Sequence, residues 1–450
     1  MTEYIRKCLL VLLVVLTIAL VGVMVPHQMA ADVNAQGHTK TLDRDLEPVT
    51  VKGYRVTALI NEPLNRLYVY KFNGNALSGP IPSQVDEVGP DGRYLSTGDG
   101  DGALDPQDEI VFMAKDLGDQ PSDASLLDSF ATAWYEIEVV DPLSPDKRAW
   151  AYLVSRSPTS ISDDYVDYNG TLHRIIARQY ELGLATTYIG LNYLTLNGSS
   201  TDILDRSKMR VVFEFLGVPD HLTENDIQDS EITLIKDGQV RVILRHVATA
   251  TTGGTISGSL ATTDLAYASM LHTTTSVSVT LPTGFDITKV RASLDFDSDA
   301  SGANFHNNNI SGVLINGSGP DGVAVTPFSN WAQVSHSDGR VIQVIDPTLA
   351  GGTPKNYYCD DSTSGSECDG TDKTGDGMSY GDTGILIEGN VNESVTIESS
   401  LFVLLPADGS DSDNVGAIYK DYFFNPLIIA PFAQGERHTV FLPIVLKTRQ

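Results

Sequence analysis

Hydrophobic residues occur along most of this chain in short runs that Gly, Asp, Asn and Pro separate. β-Branched and aromatic residues dominate the runs, the pattern of strands joined by turns. RVTALI (55–60), RLYVYKF (66–72), WYEIEVV (134–140) and WAYLVS (150–155) each predict a strand. In the third, Tyr135, Ile137 and Val139 alternate with Glu136 and Glu138, so one face is expected to be buried and the other wet. EITLIKDGQVRVILRH (231–246) predicts a hairpin with a tight primed turn at Asp237-Gly238, a pair that tolerates positive φ. Helix signals are few; PDHLTENDIQD (219–229) predicts one short helix capped at Thr223. The fold class expected is therefore all-β: antiparallel β-sandwich domains, two of them, with long acidic loops and little helix.

The exception to this pattern is the start. Arg6 and Lys7 precede an unbroken apolar run from Cys8 to Val25, succeeded by small residues, which reads as a secretory signal peptide over 1–35. Val33, Asn34 and Ala35 form a cleavage site, with Ala30 or Ala31 as rivals. An uncleaved membrane anchor is the alternative; no second apolar segment is long enough to span a bilayer, so the mature chain is expected to be soluble. The mature chain is too long for one ordinary core, which divides it into an N-terminal β domain at 46–155 and a larger sandwich at 163–430. The Pro- and Ser-containing segment SRSPTSISDD links them. Residues 431–450 form a tail ending ERHTVFLPIVLKTRQ, which would dock on the body or serve as a sorting or attachment segment.

Net charge narrows the partners. The chain carries −28, and the predicted signal peptide removes none of it because Glu3 and Asp32 cancel Arg6 and Lys7. Such a balance argues against nucleic acid as a partner, since phosphate binding needs clustered Lys and Arg. It suits divalent cations or a cationic surface, and it would also serve solubility alone. Cys359 and Cys368 bracket a polar loop and, in an exported protein, are expected to form a disulfide.

The charge is concentrated in loops. In TGDGDGALDPQDEIVFM (97–113), alignment to a calcium loop puts Thr97 at position 1, Asp99 at 3, Asp101 at 5, Gly102 at 6, the Ala103 carbonyl at 7, Asp105 at 9 and Asp108 at 12. Thr replaces the usual Asp at position 1, Asp replaces Glu at position 12, and Asp91 or Glu109 would have to supply the missing oxygen. EIVFMA then continues as a strand apolar on both faces, not as the helix of a hand-type site. The loop is thus expected to hold calcium within a β-hairpin, with a solvated Asp- and Gly-rich turn as the alternative. Asp372, Thr374, Asp376 and Asp382 repeat the opening in TDKTGDGMSYGDTG as a second calcium candidate. Asp295, Asp297 and Asp299 would share one face of a continuing strand, where their repulsion would call for a cation, whereas DGSDSDN (408–414) reads as a flexible loop.

The order IPSQVDEVGPDGRY (81–94), then DGDGALDPQDEIVFMAKDLGD (99–119), resembles a segment of uncharacterised secreted bacterial β-proteins, some similar to galactose-mutarotase-like domains near polysaccharide-degrading enzymes. The resemblance covers about forty residues. It implies an extracellular, carbohydrate-associated role and supplies no catalytic residues. The sequence contains no G-x-S-x-G elbow, H-E-x-x-H or P-loop. His173-Arg174, Arg245-His246 and His272 are candidates for a polar site, in which His would move a proton and Arg would hold a carboxylate. Trp331 and Tyr357-Tyr358 would stack on a sugar, unless they are core. The function expected is that of an exported, calcium-stabilised β-protein with a binding or structural role at the cell surface or outside the cell. Its partners would be extracellular polysaccharide or cell-surface proteins. The alternative is a carbohydrate-active enzyme, lyase or hydrolase, or its accessory sugar-binding module.

Overall fold

The computed structural model describes residues 37–161, 163–252, 256–319, 327–348, 351–391, 394–405 and 415–434. The expected signal peptide, the DGSDSDN loop and the tail beyond 434 lie outside these residues. The described chain is all-β, with antiparallel sheets and one short α-helix, Val415–Phe424.

Two small sheets enclose the first core. One has the order Pro48–Lys52, Glu109–Met113, Ser83–Asp86; the other has the order Ile428–Ala433, Ala133–Val140, Arg148–Ser155, Leu67–Asn73, Ala76–Ile81. Val49, Val51, Val69, Ile110, Phe112, Ile137, Val139 and Leu153 fill the space between them. Ile428–Ala433 comes from the far end of the chain, so the edge beside Ala133–Val140 is closed by the last described strand.

The expectation of a strand at 55–60 fails. That stretch forms consecutive 3-10 turns, Gly53–Arg55 and Thr57–Leu59, because its buried positions, Gly53, Val56 and Leu59, recur every third residue and not every second. The Tyr135 hydroxyl accepts the Ala58 amide hydrogen, at 2.9 Å, and so holds the turn against the core. The wet face expected of WYEIEVV is only half right as well. Glu136 is buried, and its carboxylate accepts from Tyr152 and Gln120.

After a four-stranded meander spanning Val166–Leu196, the chain builds a larger sandwich. A five-stranded sheet, ordered Val218–Thr223, Leu204–Phe215, Phe285–Phe296, Tyr380–Val391, Gly351–Cys359, faces a nine-stranded sheet. The latter centres on the long strands Ile227–Asp237, Val242–Thr252, Ile256–Ala266, Met270–Thr280, Ser394–Leu404 and Gly339–Thr348. Two apolar clusters, around Leu244, Leu401 and Phe296 and around Phe213, Ile385 and Val277, fill the interior. The hairpin at 231–246 exists, but Asp237 pairs with Val242, so four residues make the connection, not an Asp-Gly turn. The predicted helix at 219–229 is a single 3-10 turn, Glu224–Asp226, between strands; Thr223 does cap it, through a reciprocal capping box with Asp226.

Candidate functional site

The segment that carries the resemblance folds into a joint between the small sheets and the sandwich. Strand pairing sets Asp86 directly opposite Glu109, two buried carboxylates side by side. Such a pair is costly unless a cation lies between its members. Arg241, from the four-residue connection of the long hairpin, supplies it. Its Nε donates to Asp86 Oδ2 at 2.8 Å, its Nη2 to Glu109 Oε2 at 2.5 Å and its Nη1 to the Tyr267 hydroxyl at 3.0 Å. Lys52 reaches Glu109 at 2.7 Å and Lys236 reaches Asp86 at 3.3 Å. Gln84, also buried, accepts the amide hydrogens of Val240 and Arg241 at 2.8 and 2.9 Å, which explains why the hairpin connection opens to four residues. Burial pushes Glu109 up, but the Arg241 guanidinium and Lys52 outweigh it and hold the carboxyl below its ordinary value. The Q-V-D and D-E pieces of the motif are therefore the two halves of a socket for one arginine.

Between them lies the acidic loop. Gly102 takes φ of 74°, as the tight bend requires. Asp108 is buried and spends both oxygens on backbone amides, those of Val88 at 2.8 Å and Asp105 at 2.7 Å. Asp101 accepts from Ala103 N at 2.9 Å, and Glu87 from Gly102 N at 2.9 Å. Asp99, Asp101 and Asp105 are exposed. Neither proposed supplement is placed to help: Glu109 belongs to the arginine socket, and Asp91 sits with Arg93. Calcium would have to gather the exposed carboxylates and the Ala103 carbonyl from this arrangement. Among the described residues no three His, Cys, Asp or Glu side chains converge as a metal site would require.

The second acidic stretch divides. Asp372 and Asp376 are exposed, whereas Asp382 is buried in the outer face of the five-stranded sheet. That face carries Lys208, Arg210, Arg291 and Asp295 on neighbouring strands, and the loop after Cys359 folds over it and adds Glu367 and Asp369. Cys359 and Cys368 are joined, which fixes the loop one residue from each of these two carboxylates. Lys208 Nζ lies 2.5 Å from Asp295 Oδ2 and 2.6 Å from Glu367 Oε1. Arg210 pairs with Glu224, and Arg291 bonds the Tyr357 hydroxyl. Burial drives both Asp295 and Asp382 upward; the Asp382 charge raises Asp295 further, and Glu367 raises each of them. Asp297 and Asp299 do not continue the face of Asp295. The strand stops at Phe296, and Asp297 turns back to cap Asp299 N at 2.7 Å.

Of the remaining candidates, His173 and His246 come within electrostatic reach of each other. Arg245 is exposed while His246, next in the strand, is buried against Ser230 at 2.6 Å; burial pushes its pKa down to about 4. His272 bonds Ser400 at 3.0 Å, and His173 bonds Tyr168 at 3.1 Å. Arg174 pairs with Glu181 and lies over the Tyr193 ring. Trp331 is core, its indole N–H on Asn308 at 2.9 Å; Tyr358 stacks on Phe305, and Tyr357 lies beneath Arg291. No sequence pattern announces the cavity of about 130 Å³ between the long sheets. Leu260, Leu271 and Ile385 line it beside Asp264, whose carboxyl accepts from Thr273 at 2.7 Å and which burial pushes up to about 6.

The sequence matches no family model and no curated protein sequence. Similar solved structures include an alpha-N-acetylgalactosaminidase from Bifidobacterium bifidum, with 14% identity over 56% of this chain, 38% of that one and a TM-score of 0.37. An alpha-mannosidase from Enterococcus faecalis has 10% identity over 88% of this chain, 45% of that one and a TM-score of 0.45. A galactose mutarotase related enzyme from Lactobacillus acidophilus has 9% identity over 54% of this chain, 98% of that one and a TM-score of 0.30. This chain thus spans less than half the length of the first two. Among the described residues no helix is long and apolar enough to cross a membrane.

Proposed function

We propose that this chain is a structural or binding component outside the cell, not a carbohydrate-active enzyme. The observation that carries the proposal is the Arg241 socket. The strongest motif in the sequence is used up in joining two parts of one scaffold, and its carboxylates face a guanidinium in the interior. Of the candidates for catalysis, His246, His272 and Arg174 are each engaged by a local partner, Ser230, Ser400 and Glu181. A working acid–base site would need such groups to converge within reach of one reacting atom. In this reading the acidic loops meet a partner, polysaccharide or cell-surface protein, while the sandwich holds them in place. Calcium at Asp99, Asp101 and Asp105 would stiffen the first loop as an accessory to that role.

The test is a glycan-array screen of the purified full chain beside an activity screen on acidic polysaccharides. Saturable binding without turnover is the expected result. Product release that survives repurification and is lost on His246→Ala or Asp264→Asn would establish the enzyme reading instead.

A further inference from the structure

Among the fully buried ion pairs, that of Lys208 with Asp295 joins a primary amine to a carboxylate within one sheet. Both side chains are fully buried, they stand on adjacent strands of one sheet, and the nitrogen lies 2.5 Å from Oδ2. Register pairs Lys208 with Ser293, so Asp295 is two residues along on the same face, and the sheet itself holds the two groups together. Asp295 Oδ1 accepts the Tyr380 amide hydrogen at 3.2 Å, whereas Oδ2 makes no hydrogen bond of normal geometry. Glu367 is the third member. Its Oε1 lies 2.6 Å from the same nitrogen, and its Oε2 accepts from Ser379 at 2.9 Å.

We propose that Lys208 and Asp295 condense into an intramolecular isopeptide bond once the chain has folded. The Nζ–Cγ bond forms and the Cγ–Oδ2 bond breaks. The ammonium brings three hydrogens; one stays on the amide nitrogen and two leave with Oδ2 as water, so no oxidant, activating group or external reactant is needed. Glu367 is placed to take a proton from the nitrogen and return it to the departing oxygen, and the Tyr380 amide to steady Oδ1 as negative charge gathers there. The entropic cost of bringing amine and carboxyl together has been met by folding, which for well-oriented partners is worth many orders of magnitude in rate. The environment favours the product, because a buried ammonium and carboxylate bear a desolvation cost that a neutral amide does not. Glu367 is not the acyl partner: it comes from a covering loop and not from the sheet, its Oε2 accepts from Ser379, and its carboxylate also faces Arg291 and Arg210, at 3.8 and 4.0 Å. The bond would form whether or not the function proposed above holds.

Mass spectrometry of the full chain, reduced and digested with trypsin, tests it. Cleavage at Arg206, Arg210, Arg291 and Arg340 should release peptide 207–210 attached to peptide 292–340, lighter than the two together by one water. The bond after Lys208 should resist trypsin. Glu367→Gln should leave the peptides separate, as should Lys208→Arg. Should either variant fail to fold, the wild-type digest decides alone: recovery of 292–340 unattached overturns the proposal, as does a link from Lys208 to Glu367.

Discussion

Single residues in this protein act through partners far away in the chain. Arg241 is 132 positions from Glu109, and no local spacing announces that the two meet. Asp86, Asp108 and Glu109 are visible in the sequence as an acidic excess, and the missing information is the cation that turns two of them into a socket. Arg241→Ala should therefore cost about 3–5 kcal/mol, the usual result of stranding buried charges, with a matching fall in the urea midpoint. Arg241→Lys should recover little, because one ammonium cannot address Asp86, Glu109 and Tyr267 in a plane. Asp264 makes a separate prediction. Burial places its folded pKa at about 6, above the ordinary 3.8, so between these values the native state holds a proton that the unfolded state has released. Stability must then fall as pH rises from about 4 to about 6, by something on the order of 3 kcal/mol from this group. Urea melts of wild type and Asp264→Asn across that range should converge at the acid end and diverge above pH 6, with the variant the more stable. Parallel curves would show that Asp264 is ordinary.

Elements are legible where β-branched and aromatic residues run together between turn residues. The strands at 66–72, 134–140 and 150–155 and the buried strand after the acidic loop form as expected, because burial on one or both faces leaves a direct trace in the sequence. RVTALI misleads because its β-branched composition suits a strand while its burial runs in threes. DRSKMRVVFEF (205–215) misleads in the opposite sense. Lys208 and Arg210 read as a wet face, yet the loop fastened by Cys359–Cys368 covers them with Glu367 and Asp369. The cysteines themselves are legible, since two in one polar loop leave little choice of pairing. Opening this short loop by Cys368→Ser should cost about 2–3 kcal/mol in unfolded-chain entropy. A larger loss of stability is expected here than entropy alone gives, because the freed loop would withdraw Glu367 and Asp369 from the buried Arg291 and leave that cation short of partners. Thermal melts of Cys368→Ser and of Cys368→Ser with Glu367→Gln separate the two contributions. If the added Glu367 substitution costs as much as it does in the oxidised protein, the loop stays closed without its disulfide.

At the scale of the whole molecule the chain closes on itself and carries a large uniform charge. Ile428–Ala433 completes the sheet begun near residue 67, so the first core depends on both ends of the described chain, a long-range pairing that no local pattern contains. A net charge of −28 adds mutual repulsion to the folded state, and any salt should relieve part of it. This bears on calcium, because a divalent ion would stabilise so acidic a protein by screening even without a site. The discriminating comparison holds ionic strength fixed and exchanges calcium for magnesium. Magnesium demands a compact octahedral shell and parts with its water reluctantly, whereas calcium accepts six to eight oxygens in irregular geometry, as the exposed Asp99, Asp101 and Asp105 and the Ala103 carbonyl would offer. Binding to the folded state alone would contribute about 2.7 kcal/mol at a free calcium concentration roughly a hundred times Kd. The full chain should therefore melt several degrees higher in calcium than in magnesium of equal ionic strength, and the double substitution Asp99→Ala, Asp101→Ala should abolish the difference. Equal melting in the two salts would mean that the loop's carboxylates serve only their own backbone amides, as those of Asp108 do.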